Sequence, residues 1–156
     1  MPGQPVRRFG GTAAQIRSAL GFYKVMAYLT GIMLLLLAVE VVLRYVFGLV
    51  LLMGGTDLAT GASHGFGFIS ANPDGSLPVS GGFNLSVAVL IVHGWMYVVY
   101  LVADFRLWSL LRWPFSKFIL IALGGVIPFL SFVLEGRIHA QALREIEENP
   151  QAARRY

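Results

Sequence analysis

Glu40 and Arg44 stand four residues apart inside a long apolar run, GIMLLLLAVEVVLRYVFG. On a helix that spacing puts them on one face, with the acid N-terminal to the base, the order that favours pairing. A second set lies in SVAVLIVHGWMYVVYLVAD, where Ser86, His93, Tyr97, Tyr100 and Asp104 follow one another at offsets of 7, 4, 3 and 4. Those offsets trace a single stripe of a 3.6-period helix. Ionisable side chains at the centre of a bilayer cost about 2.5–3.5 kcal/mol on insertion scales, so each one needs a partner or a function. His93 is the member of the set that titrates near neutral pH. The polar stripe therefore faces other protein, and Gly94 beside His93 lets a neighbouring backbone approach. Two readings of the stripe stay open. One is an interhelical hydrogen bond worth about 0.6 kcal/mol on average. The other is a proton-coupled or ligand-binding site made of Glu40, Arg44, His93, Tyr97, Tyr100 and Asp104. Helix rise places Glu40 roughly 22 Å and His93 roughly 16 Å above the inner membrane edge, close enough to meet.

The elements that must position these residues follow from composition. The chain has 156 residues, with 56% hydrophobic and 13% charged, and a mean hydropathy of +0.70. Soluble domains carry about twice that charged fraction, so an ordinary soluble enzyme, a coiled coil and a disordered chain are excluded. There is no Cys, which excludes disulfide frameworks, thiolate metal sites and Cys nucleophiles. Only three His are present, too few for a multi-histidine metal or haem site. No P-loop, dinucleotide-binding or zincin pattern occurs. The reading is therefore no catalytic residue, no metal and no cofactor.

The sequence predicts an all-α membrane protein with three transmembrane helices at about 25–47, 85–104 and 118–134. Basic residues orient it. Arg7, Arg8, Arg17 and Lys24 precede the first span, and Arg106, Arg112 and Lys117 lie between the second and third. The stretch 53–83 holds no Lys or Arg, only Asp57 and Asp74. This predicts a cytoplasmic N-terminal segment (1–24), an outer loop (53–83), an inner loop (105–117) and an extracytoplasmic polar tail (136–156) flanking a membrane domain at 25–135. Residues 12–23 are read as a short interfacial helix. The Arg7-Arg8 pair is read as part of a retained segment, not a twin-arginine signal. The Gly, Ser, Asn and Pro content of the outer loop predicts turns without a packed domain, with His64 solvated there. Packing is assigned to small residues: Ala27 and Gly31 on the first span, and Gly124, Gly125 and Ser131 on the third, with Pro128 kinking the latter. Lys117, Ile121 and Glu135 share the face of Gly124 and Ser131.

His93-Gly94 with its flanks, HGWMYVVYLV, resembles the His-Gly signature of a family of small bacterial integral membrane proteins, domain of unknown function 3817. YKVMAYLTGIMLLLLAVEVVLRYVFG and DFRLWSLLRWPFSKFILIALGGVIPFLSF are similar to members of the same family. The resemblance spans about Tyr23 to Glu135 and implies a three-helix plasma-membrane protein without an established activity. The expected function is a non-enzymatic structural or accessory subunit of a bacterial membrane complex, respiratory or of the envelope. Its partners would be the lipid bilayer and either other subunits or further copies of the chain, and no nucleic acid. The alternative is a small oligomeric transporter or channel built around Glu40, Arg44 and His93. An intramembrane enzyme acting on lipid, with His93 as base, ranks below both.

Overall fold

The computed structural model describes residues 9–150. The Arg7-Arg8 pair and the last six residues of the expected tail lie outside the described residues. Among the described residues, four helices and five short strands occur in the order α1 (Ala13–Val46), β1 (Leu49–Met53), β2 (Thr56–Asp57), β3 (Phe66–Ser70), β4 (Val79–Ser80), β5 (Phe83–Asn84), α2 (Leu85–Leu111), α3 (Phe115–Leu123) and α4 (Leu130–Glu148). They form two compact units. Among the described residues, one comprises 9–34 together with 95–150, and the other is Leu35–Gly94.

Helix α1 begins at a reciprocal cap. Thr12 Oγ1 accepts from the Gln15 amide at 3.3 Å, and Gln15 Oε1 accepts from the Thr12 amide at 2.9 Å. This is the capping box that Thr-x-x-Gln encodes. From there α1 runs unbroken for 34 residues, about 51 Å, so the expected interfacial helix at 12–23 is its first part. Gly48, at φ +68°, ends the run in the left-handed conformation that glycine adopts freely. Helix α2 starts where Asn84 Oδ1 accepts from the Val87 amide at 3.2 Å, an N-cap. Both helices are long and apolar enough to cross a membrane.

The expected third span is interrupted. Helix α3 has nine residues, about 14 Å, roughly half of a hydrocarbon core. Gly124, Gly125 and Val126 then bond back to residues three earlier, the tighter geometry of a helix coming apart. Pro128 donates no backbone hydrogen bond, and Phe129 takes φ +67°. Helix α4 then continues through much of the sequence read as a polar tail, as far as Glu148.

The all-α expectation also needs correcting, because the segment between α1 and α2 contains β structure. Strand β1 lies between β3 and β5, antiparallel to both, and β2 pairs with β4. Alternation along β1 buries Val50 and Leu52, while Met53 on the other face pairs across to Phe66 and Phe83. Composition rich in Gly suits this ladder because Gly54, Gly55, Gly81 and Gly82 all have positive φ at its corners. The Asp57 carboxylate closes one turn, accepting from the Ala59 amide and from the Thr60 amide and hydroxyl. Its acidity is held stronger than usual by those bonds, the Thr60 amide foremost. Asp74 does the same for Ser76, whose hydroxyl and amide hold its carboxyl below the ordinary range.

Candidate functional site

The stripe on α2 separates cleanly from the rest of that helix. His93 is 9% exposed and Tyr100 and Asp104 are fully buried, with Ser86 and Tyr97 partly so. Their neighbours Ile91, Trp95, Val98 and Val102 are exposed, Trp95 to 69%. Gly94 belongs to that outward face: a Cβ placed there would meet nothing within 4 Å. Among the described residues no backbone closes on it, contrary to expectation.

In the first unit the tyrosines of the stripe reach the broken end of α3. Tyr100 Oη donates to the Ile121 carbonyl at 2.6 Å, and Tyr97 Oη donates to the Ala122 carbonyl at 3.1 Å. The Ile121 and Ala122 carbonyls already accept from the Gly124 and Gly125 amides in the tightened last turn, and the two phenols give each a second donor. Gly124 and Gly125 make the approach possible, because a Cβ on Gly124 would stand 3.0 Å from Tyr100 Oη and one on Gly125 would enter the Tyr97 ring. Gly31 plays the same part on α1, where a Cβ would collide with Ser131 Oγ and Phe132. Ala27 is buried next to it and Pro128 is exposed.

Below the tyrosines lies a set of buried oxygens. Tyr23 packs on Tyr100 with ring centroids 5.8 Å apart. Asp104 is fully buried and neither of its oxygens has a hydrogen-bond partner. Glu135 is 5% exposed, and its Oε1 stands 3.7 Å from His139 Nδ1, longer than a hydrogen bond. Thr30 Oγ1 and Ser131 Oγ are buried without partners as well. Among the described residues no three His, Asp or Glu side chains converge as metal ligands.

Sequence reasoning found Asp104, Tyr100 and Ser131, and placed Glu135 on a packing face. It missed Tyr23 and Thr30 as buried polar positions, and His139 beside Glu135. The signals were there: Ile16, Leu20, Tyr23, Ala27 and Thr30 follow helical spacing, and Glu135 and His139 are i, i+4. Tyr23 and His139 fell outside the span boundaries read from hydropathy.

The second unit holds a different arrangement. Glu40 and Arg44 line a groove of about 200 Å³ with Leu37, Val41, Ser86 and Leu90. Glu40 Oε2 is buried there without a hydrogen-bond partner. Arg44 and Tyr45 also line a neighbouring groove of about 360 Å³ with Gly48, Asn72 and Pro73. The α2 residues opposite Glu40 in the first groove are Ser86, Val87 and Leu90; His93 lines neither groove. His64, expected in solvent, has a buried, unpartnered Nε2. Gly61-Ala62-Ser63-His64-Gly65 has the spacing of a nucleophile elbow, but no helix follows it and Ser63 forms a bridge with Thr56, so that context is missing.

The fold thus defines a predominantly helical protein with two helices of membrane-crossing length and composition. Residues 78–140 match the family model described as Domain of unknown function (DUF3817). Uncharacterised proteins of Mycobacterium bovis and Mycobacterium tuberculosis are each 31% identical over 121 residues, covering 78% of this chain and 73% of the relative. One of Mycobacterium leprae is 29% identical over 119 residues, covering 76% and 71%. The chain belongs to this DUF3817 family. The matched segment takes in α2, α3 and the start of α4, with Asp104, Glu135 and His139. No solved structure matches the chain.

Proposed function

We propose that this protein is a multi-pass protein of the bacterial plasma membrane that serves as a non-enzymatic accessory subunit of a larger membrane assembly. The observation that carries the reading is the outward face of α2. Only 11% of its most apolar window is buried within the chain, whereas a core helix of a soluble protein is mostly buried. Ile91, Val98 and Val102 need lipid around them or apolar partner helices. Gly94 opens that face to close approach by another helix, beside the exposed Trp95. Mild-detergent extraction followed by mass spectrometry of what co-purifies tests the role, and a stoichiometric partner is the expected result. Purification of the chain alone as a monodisperse species counts against it.

Within this reading the chain crosses the membrane twice, and α3 with the first part of α4 enters and returns on the cytoplasmic side. Three facts support this: the shortness of α3, the turn at 124–129, and the bond from Trp113 Nε1 to Glu145 Oε2 at 2.8 Å. In this reading that arrangement stands in place of the third crossing and outward tail expected from hydropathy. A single Cys introduced near the C-terminal end of α4 should react with impermeant reagents only from the cytoplasmic side.

The transporter or channel reading draws on Glu40 and Arg44 in their groove. It requires pH-dependent ion flux in proteoliposomes that falls in Glu40→Gln.

A further inference from the structure

The groove of about 200 Å³ in the second unit is graded along its length. Leu37 and Leu90 wall it within the apolar runs, whereas Arg44 and Ser86 wall it where α1 ends and α2 begins. Arg44 and Tyr45 also belong to the groove of about 360 Å³, whose other sides include the turn residues Gly48, Asn72 and Gly75. These two side chains therefore stand where an apolar channel along the helices gives way to a polar pocket in the β segment. An amphiphile has the same order, an acyl tail followed by a charged head.

Two unmet needs define that head. Glu40 Oε2 is buried in the first groove with no hydrogen-bond partner among the described residues. A carboxylate oxygen taken out of water and given no donor is costly. Arg44 leaves that oxygen unserved and is itself exposed. A guanidinium matches the oxygens of a phosphate through paired N–H groups. One helical turn, about 6 Å, separates the two positions, comparable with the span from a lipid phosphate to the amine or hydroxyl that ends a short head group. We propose that the Glu40–Arg44 groove binds a phospholipid whose head carries a hydrogen-bond donor, as ethanolamine and glycerol heads do. Arg44 holds the phosphate, and Glu40 accepts from the N–H or O–H of the head. The acyl tail lies along Leu37, Val41 and Leu90, walls that a soluble phosphate ester would leave uncovered. A choline head has the phosphate and a positive charge but no N–H or O–H, so it answers Arg44 and leaves Glu40 without a donor.

The site rests on the membrane placement of α1 and α2 proposed above and not on the accessory role. The test is native mass spectrometry of the full-length protein, stripped of lipid in mild detergent. It is then offered dioleoyl phosphatidylethanolamine, phosphatidylglycerol, phosphatidylcholine or the tailless glycerophosphoethanolamine. One ethanolamine or glycerol lipid should be retained per protein, with phosphatidylcholine held about tenfold more weakly. Arg44→Gln should weaken retention of every phospholipid about tenfold. Glu40→Leu removes the acceptor and keeps an apolar wall, so ethanolamine and choline lipids should then bind alike. Glu40→Gln keeps an acceptor and should keep the preference. Arg44 is exposed and Glu40 half-buried, so these substitutions spare the core. Equal retention of ethanolamine and choline lipids by the wild-type protein overturns the proposal, and so does unchanged retention in Arg44→Gln. Binding of the tailless ester as strong as that of the lipid also overturns it, because the groove would then serve a soluble ligand. A protein that fractionates with membranes yet shows no preference fails here alone, whereas one recovered outside membranes fails the membrane reading as well.

Discussion

Trp113 Nε1 donates to Glu145 Oε2 at 2.8 Å, and Gln141 Nε2 holds the other carboxylate oxygen at 2.7 Å. These bonds tie the connection between α2 and α3 to the last turns of α4. They return the chain to where α3 began, with Ala142 and Ile146 buried in the same core as Ile16 and Leu111. Glu145→Ala should leave the indole donor without that partner and cost about 1–3 kcal/mol. Glu148→Ala, on the exposed side of the same turn, should change stability by less than about 0.5 kcal/mol. Thermal unfolding in detergent, followed by Trp fluorescence, compares the two.

The glycines give predictions of opposite sign. Gly125→Ala pushes a methyl into the Tyr97 ring, and overpacking of this kind costs about 1–3 kcal/mol. Gly94→Ala meets open space and should stabilise the isolated chain by up to about 1 kcal/mol through helix propensity. Denaturant titration of both variants in the same detergent checks the contrast, and equal effects would contradict it.

Phe129 sits at φ +67° with its side chain 65% exposed. A left-handed conformation costs an L-residue about 1–2 kcal/mol relative to glycine. Phe129→Gly should therefore raise the unfolding temperature, and Phe129→Val should lower it because a branched Cβ tolerates that region least.

The turns of the β segment between α1 and α2 should respond to acid. The Asp57 and Asp74 carboxyls are more acidic folded than their ordinary value of 3.8. Their contribution to the turns is complete above that value and disappears as pH falls through the lower folded value. Hydrogen exchange of the Ala59, Thr60 and Ser76 amides should be flat from about pH 5 to 8 once the intrinsic pH dependence is removed. Protection should fall only below about pH 4, and Asp57→Asn should flatten that response at the first turn.

Much of the helical frame is legible in the residues. The apolar runs mark α1 and α2 because a helix that satisfies its own backbone can expose such faces to lipid. The offsets from Ser86 to Asp104 mark the inward stripe of α2, since side-chain direction on a helix follows from spacing alone. Gly31 and Gly125 read as close-packing positions because they have no Cβ. The strands between α1 and α2 were harder to see. Their ladders pair residues such as Leu49 and Ser70, and the alternation is short and interrupted by glycine.

By itself the sequence determined the two long helices, their polar stripe and the small residues at which the chain packs, because each depends on local periodicity or on the absence of a side chain. It also carried the capping box at Thr12 and the cap at Asn84. Tertiary structure decided what hydropathy averages hide. The segment 118–134 is apolar enough to suggest a crossing, but Gly124, Gly125 and Pro128 weaken its helix and the Trp113–Glu145 bond lies 32 residues apart. The meeting of Tyr23 with Tyr100 was likewise settled by packing. They come from two helices, and only the angle and depth at which α1 and α2 meet bring the two rings to 5.8 Å between centroids.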